Sequence, residues 1–240
     1  MFNSDDLATL IPRYNEGYRA LTAEGLPAPL NLIQVVLPMP KPTFAALFSW
    51  TSTDLEAGKG WLDKVCSLGP VVGKTVQEST PKGWLDEVSK LIAPSTQGRL
   101  YTISLREITD EVAHVIAHYV QKMPSDPHIL FDMHELLGNS PSARPNPDSV
   151  FSAREGHFAF EIVPLVEKRE NLDGALVWGR EPQEALQRTD ADNIVPASYL
   201  SFVSAEEMDP SKAFGEYLPF PKDLKRRVDP QNVFRAISYL

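Results

Sequence analysis

Twenty-one prolines punctuate the 240 residues of this chain. Each fixes its own φ near −65° and offers no backbone N–H, so few helices or inner strands run through one. The chain is therefore built from short elements joined by stiff, extended segments rather than flexible linkers. The longest uncharged stretch, residues 25–40, is broken by Pro27, Pro29 and Pro38. It falls short of the roughly 20 apolar residues a membrane-spanning helix needs. Hydrophobic residues at 42% and charged residues at 23% are ordinary globular usage and exclude a disordered chain. The length suits one large domain or a domain with an appendage. A net charge of −9 repels phosphate backbones, so neither nucleic acid nor a membrane is an expected partner. Cys66 is the only cysteine, which excludes an internal disulfide and fits a reducing compartment. Residues 2–10 carry Asp5 and Asp6 and no basic run, so no secretory leader is expected and a cytoplasmic location is.

Between the prolines, periodicity assigns the elements. A helix capped by Ser4 or Asp5 runs toward Ala23, with Pro12 inside it. Strands are expected at Leu30–Leu37, Thr43–Trp50, Val71–Gln77, Arg99–Glu107, His128–Leu136 and His157–Val166. Helices are expected after Asp54, Thr80 and Thr109, around Gln183–Asp190 and around Lys222–Val228, with a charged segment bearing Trp178 before the fourth. Strands follow one another through short proline-rich joins, which predicts an α+β fold: a mostly antiparallel sheet with helices packed on one face and a C-terminal helical tail. The expected organisation is a helical segment over 1–30, the α+β domain over 31–204 and a tail over 205–240.

Side chains alternate along a strand, so His128, Leu130, Asp132 and His134 share one face, and His157, Ala159 and Glu161 share another. If the two strands pair across the long loop 138–147, these polar faces coincide. Histidines beside carboxylates are competent proton carriers near neutral pH. Asp132, His134 and His157 are thus the catalytic candidates, with Glu161 and Arg154 at the edge of the pocket and the loop as its lid. A solvated sheet face accounts for the same pattern. Arg154 suits a carboxylate or phenolate, and Tyr101 and Tyr199 suit a stacking wall or a phenolic acid, with core packing the commoner fate of a tyrosine. His114 and His118 are spaced i, i+4 on a helix, but no third ligand accompanies them and no metal is expected. Cys66 reads as a buried, inert thiol. The sequence contains no G-x-G-x-x-G, no G-x-x-x-x-G-K-[ST] and no G-x-S-x-G.

Four ordered segments carry a resemblance: TFAALFSWTSTDLEAGKGW from Thr43, SVFSAREGH from Ser149, SYLSFVS from Ser198 and KDLKRRVDPQNVFRAISYL from Lys222. Together they resemble the C-terminal, substrate-binding half of FAD-linked oxidoreductases of the berberine-bridge-enzyme type, in the vanillyl-alcohol-oxidase group. The signature K-x-x-x-D-P-x-N-x-F is met by Lys225, Asp229, Pro230, Asn232 and Phe234, and Phe214-Gly215-Glu216 is similar to the aromatic-Gly-Glu stretch before it. Tyr217 stands where the family commonly has Asn, and Ser201 replaces the Asn of its Y-x-N-F. The family's flavin domain has no counterpart in these segments. The resemblance implies a substrate-binding domain for a small aromatic, alkaloid or polyketide-type secondary metabolite. FAD would then be held only with a flavin-domain partner or a missing N-terminal half, and none tightly by this chain alone. A homodimer is the other expected assembly. Two alternatives stand beside this reading: a flavin-free descendant doing acid–base cyclisation, isomerisation or dehydration, and a non-catalytic binding remnant.

Overall fold

The computed structural model describes residues 1–91, 95–136, 150–203 and 208–234. The expected lid at 138–147 lies outside the described residues. Helix α1 (Leu7–Ala23) opens where the Asp6 carboxylate accepts from the backbone N–H of Thr9, one residue later than the caps expected from sequence. Its stripe of Leu7, Leu10, Ile11, Tyr14 and Tyr18 is buried, and Pro12 is accommodated inside it. A hairpin follows, β1 (Leu30–Leu37) and β2 (Thr43–Trp50), paired in full antiparallel register from Leu30 opposite Trp50 to Leu37 opposite Thr43. Helix α2 (Leu55–Cys66) is capped by Asp54, and α3 (Pro81–Val88) by Thr80 with proline at its first position. Then come β3 (Tyr101–Leu105), α4 (Asp110–Val120) capped by Thr109, β4 (Ile129–Leu136) and β5 (His157–Pro164). Helices α5 (Leu172–Leu186), α6 (Pro210–Phe214) and α7 (Pro219–Val228) complete the described chain.

The five strands form one sheet in the order β2-β1-β4-β5-β3, and every neighbouring pair is antiparallel. One face is apolar. Leu32 and Val36 of β1, Phe44 of β2, Tyr101, Ile103 and Leu105 of β3, Phe131 and Met133 of β4, and Phe158, Phe160 and Ile162 of β5 all enter one core. The buried stripes of α1, α4 and α5 join that core, which is the α+β architecture expected from sequence. Polar bonds lock the layers. Gln34 donates to Asn15, the Trp178 indole donates to the carbonyl of Tyr119, and Gln183 donates to the carbonyl of Thr102.

Two expectations need correction. The predicted strand at 71–77 is only an isolated bridge between Val71 and Phe2. Val72 and Val76 are 65% and 64% exposed, so the segment has no apolar face to bury. The charged segment around Trp178 is not a connection: it is α5, of 15 residues, which begins well before the helix expected at Gln183. Gly174, Gly179 and Pro182 disfavour a helix there, but burial of Leu172, Ala175, Trp178 and Leu186 against the sheet outweighs that cost.

The tail is tied to the segment before β5. Ser152 Oγ donates to the carbonyls of Lys212 and Ala213, and Gly215 takes φ +51° where a side chain would meet Ser152. The recurring Lys225 and Asp229 form an ion pair, and Asp229 also accepts from the N–H groups of Val233 and Phe234. The signature thus closes a turn at the end of α7, with Asn232 at φ 51°, a conformation Asn tolerates better than most residues.

Close packing of α5 on the sheet gives a direct test. A Cβ at Gly179 would sit 2.9 Å from the Tyr101 ring and 2.7 Å from Pro164. Gly179→Ala should destabilise the fold by about 1–3 kcal/mol despite the better helix propensity of alanine. Urea denaturation showing an unchanged or higher midpoint would sink this packing account.

Candidate functional site

The second face of the sheet is set by the same alternation. Asp132 and His134 leave β4 on the side opposite Phe131 and Met133, and the register places Asp132 directly across from Glu161 of β5. Two carboxylates facing each other on neighbouring strands repel. His134 lies between them: its Nε2 is 3.5 Å from Asp132 Oδ1 and 3.6 Å from Glu161 Oε1. All three side chains are half-buried. Around them the face is neutral, with Ile33 and Val35 of β1 opposite His134 and Asp132, and Thr102 of β3 opposite Glu161.

The electrostatics follow from burial and this crowding. Burial pulls the His134 imidazolium down, but the adjacent carboxylates of Asp132 and Glu161 outweigh it, so its pKa rises above the ordinary histidine value. Burial, reinforced by the Asp132 charge and opposed by His134, pushes Glu161 up to about 7. His134, its pKa raised, and Glu161, pushed up to about 7, therefore share one carboxylate neighbour, an arrangement suited to moving a proton between them. The three ligand atoms lie within 4.8 Å of one another, close enough in principle to share a cation. His134 already supplies the balancing charge, and no metal is assigned to the trio.

His157 does not join this trio. It shares the sheet face but lies opposite Leu136, four residues along β5 from Glu161, which is about 13 Å at roughly 3.3 Å per residue. It is fully buried. Its Nδ1 faces the carbonyl of Glu155 at 2.8 Å, so Nδ1 carries the proton, and Nε2 accepts from the Tyr199 hydroxyl at 2.8 Å. Burial lowers the pKa of His157 and lifts the Tyr199 phenol to about 12, so the pair is neutral. Phe151 and Phe202 flank the Tyr199 ring at 5.6 and 6.3 Å between centroids. Arg154 lies over Phe151 and donates to its carbonyl, so it belongs to this aromatic end rather than beside Asp132.

Tyr101 is a correction. It points to the helix face, 5% exposed, with its hydroxyl on the carbonyl of Leu176. An odd-numbered position on β3 is paired with Ile162, and that pairing carries it into the core. His128 precedes β4 and faces Glu167 at 2.9 Å. His114 and His118 lie on the exposed face of α4. Cys66 ends α2 half-buried rather than enclosed. The aromatic cluster of Phe151, Tyr199 and Phe202 was not read from sequence, because its members come from irregular segments with no periodicity.

The trio yields a titration test. Asp132 raises both of its neighbours, so Asp132→Asn should move His134 and Glu161 together, both downward, while each keeps its place in the sheet. NMR titration of the His134 ring and of the Glu161 side chain measures both shifts. Movement of only one group, or opposite movements, would show that Asp132 is not the shared neighbour.

No protein-family profile matches the chain. In sequence it is similar to the FAD-linked oxidoreductase aurO of Gibberella zeae, 25% identical over 177 residues, covering 74% of this chain and 34% of aurO. In fold it is similar to aclacinomycin oxidoreductase, with a TM-score of 0.75 at 15% identity, covering 98% of this chain and 52% of that one. It is likewise similar to 6-hydroxy-D-nicotine oxidase of Arthrobacter nicotinovorans, with a TM-score of 0.73 at 14% identity over 96% of this chain and 51% of the other. For the Physcomitrella patens BBE-like 1 protein the TM-score is 0.70 at 11% identity, over 94% and 50%. The chain thus spans about a third of its curated relative and about half of these solved chains. In fold the chain is thus the counterpart of about half of these solved proteins, and in sequence it is similar to part of an FAD-linked oxidoreductase.

Proposed function

We propose that this chain is the substrate-binding half of a berberine-bridge-like FAD-linked oxidoreductase, and that the open face of its sheet receives a small aromatic, alkaloid or polyketide-type metabolite. The observation that carries the proposal is the trio of Asp132, His134 and Glu161 on the sheet face opposite the one that α1, α4 and α5 pack against, in a chain with this fold. The aromatic end at Tyr199, Phe151 and Phe202 suits a flat ring, and the trio suits its hydroxyl or amine substituents.

In this reading FAD is not held by this chain alone. A pyrophosphate needs converging backbone N–H groups at a helix start. Here the first turns of α1, α2 and α6 are already occupied by the carboxylates of Asp6, Asp54 and Asp209, which would repel it. Flavin is therefore assigned to a flavin domain on a partner chain or another segment, and no step is routed through it. The exposed Phe220, Leu224 and Val228, spaced four apart on α7, offer apolar surface for such a partner or for a second copy of the chain.

The residues of this chain handle protons. His134, held as the imidazolium beside Asp132, donates a proton to the substrate, and Glu161, partly ionised at neutral pH because its pKa is pushed up to about 7, accepts one from a substrate hydroxyl or acidic carbon. That trio also favours a second reading, in which the chain carries out flavin-free cyclisation, isomerisation or dehydration. Non-catalytic binding is the outcome left if neither activity appears.

The test uses hydroxylated naphthalenes as probes, followed by amide NMR on the desalted chain. Shifts should concentrate at Asp132, His134, Glu161 and Tyr199, and His134→Ala should weaken binding about tenfold. In any proton-transfer assay the same variant should lose about 10²–10⁴-fold in turnover. Shifts confined to the helix side of the sheet would end the substrate-face reading. Stoichiometric flavin absorbance after desalting would end the assignment of flavin to another domain.

A further inference from the structure

A buried acid sits on the other side of the site strand. Glu135 follows His134 and so points into the helix layer, where it is 6% exposed. Its Oε2 accepts from the hydroxyl of Tyr18 on α1, and its Oε1 finds no hydrogen-bond partner. The groups around it are neutral. From α1 come Tyr14, whose hydroxyl is also buried without a partner, and Asn15, which is bonded to Gln34. From β1 comes Gln34, whose Oε1 is buried and unpartnered. From β5 comes Phe158, edge-on to Tyr18. Cys66, at the end of α2, acts on Tyr14 rather than on Glu135. Among the described residues no cation is hydrogen-bonded or ion-paired to the carboxyl, and the Tyr18 phenol is its one side-chain hydrogen-bond donor.

From this geometry we infer that Glu135 and Tyr18 form a proton-operated latch that fastens α1 to the sheet when Glu135 is protonated and loosens it when the carboxyl ionises. Burial supports the direction: it raises Glu135 to about 7, against a smaller opposing effect of the Tyr18 hydrogen bond. The sign follows by linkage. The folded state holds its proton to higher pH than the unfolded chain does, so the latch's contribution is present at low pH and is lost as pH rises toward and through 7. An ionised carboxylate with one donor in an apolar layer is costly. α1 carries the only tyrosine that reaches it, so α1 is the element released. β4 presents Asp132 and His134 on its opposite face, so the same proton steadies the strand that carries the site.

Hydrogen exchange of the intact chain tests this, with rates corrected for intrinsic pH dependence. Amides of α1 should lose about ten- to a hundredfold in protection between pH 5.5 and pH 8, since each unit of raised pKa is worth a factor of ten in the folding equilibrium. Amides of α5 should change far less. In Glu135→Gln the loss on α1 should disappear. In Tyr18→Phe, which keeps the acid but removes its donor, protection at pH 8 should fall below wild type. The latch is overturned by α1 protection that does not depend on pH, or by equal losses on α1 and α5. It is also overturned by a Glu135→Gln protein that keeps the wild-type dependence or, if that variant does not fold, by Tyr18→Phe matching wild type at pH 8.

Discussion

The structure depends on the two-residue alternation of a single central strand. β4 stands third of five in the sheet and pairs with β1 on one side and β5 on the other. Its residues Ile129, Phe131, Met133 and Glu135 are buried, while Leu130, Asp132, His134 and Leu136 are half-buried on the other face. Because the period is two, a slip of one residue would put Phe131 and Met133 into the site and Asp132 and His134 into the core. The core and the candidate site are thus enforced by one register. Every helix that packs on the apolar face also holds the polar face in place.

That coupling explains why the polar residues of the open face are so close together. Cross-strand pairing brings Asp132 opposite Glu161 whether or not their charges agree, and the repulsion is relieved by His134, two residues along the same strand. The result is a site in which a histidine of raised pKa adjoins a carboxyl pushed up to about 7, built from residues that are each unremarkable in sequence. At the other end of the same strand pair, the fully buried His157 and the partly buried Tyr199 are neutral and mutually satisfied. Two chemically different ends on one sheet face suit a ligand with an aromatic body and a polar substituent.

The tail shows a different logic. Lys225, Asp229 and Asn232, which carry the resemblance seen in sequence, are here bound to one another and to nearby backbone rather than to the sheet. Asp229 is 7% exposed and accepts from two backbone N–H groups, as a turn-forming acid should. The signature is a device for ending α7, and what it exposes is the apolar row of Phe220, Leu224 and Val228.

By itself the sequence determined the architecture and the polar pair on β4. Strand alternation, capping residues and proline breaks are local, and they marked β1, β2, β4 and β5 and the starts of α2, α3 and α4 to within a few residues. They also put Asp132 beside His134. The tertiary structure decided the rest. Helix α5 has poor local propensity and exists because Trp178 and Leu186 find a core to enter. Tyr101 is a core residue and His157 is remote from Asp132 because pairing register, which is non-local, fixes face and distance. Glu135 was legible in principle, as a carboxyl continuing the odd-numbered apolar row of β4. That it meets Tyr18, 117 residues away, is a contact that only the packing of α1 on the sheet creates.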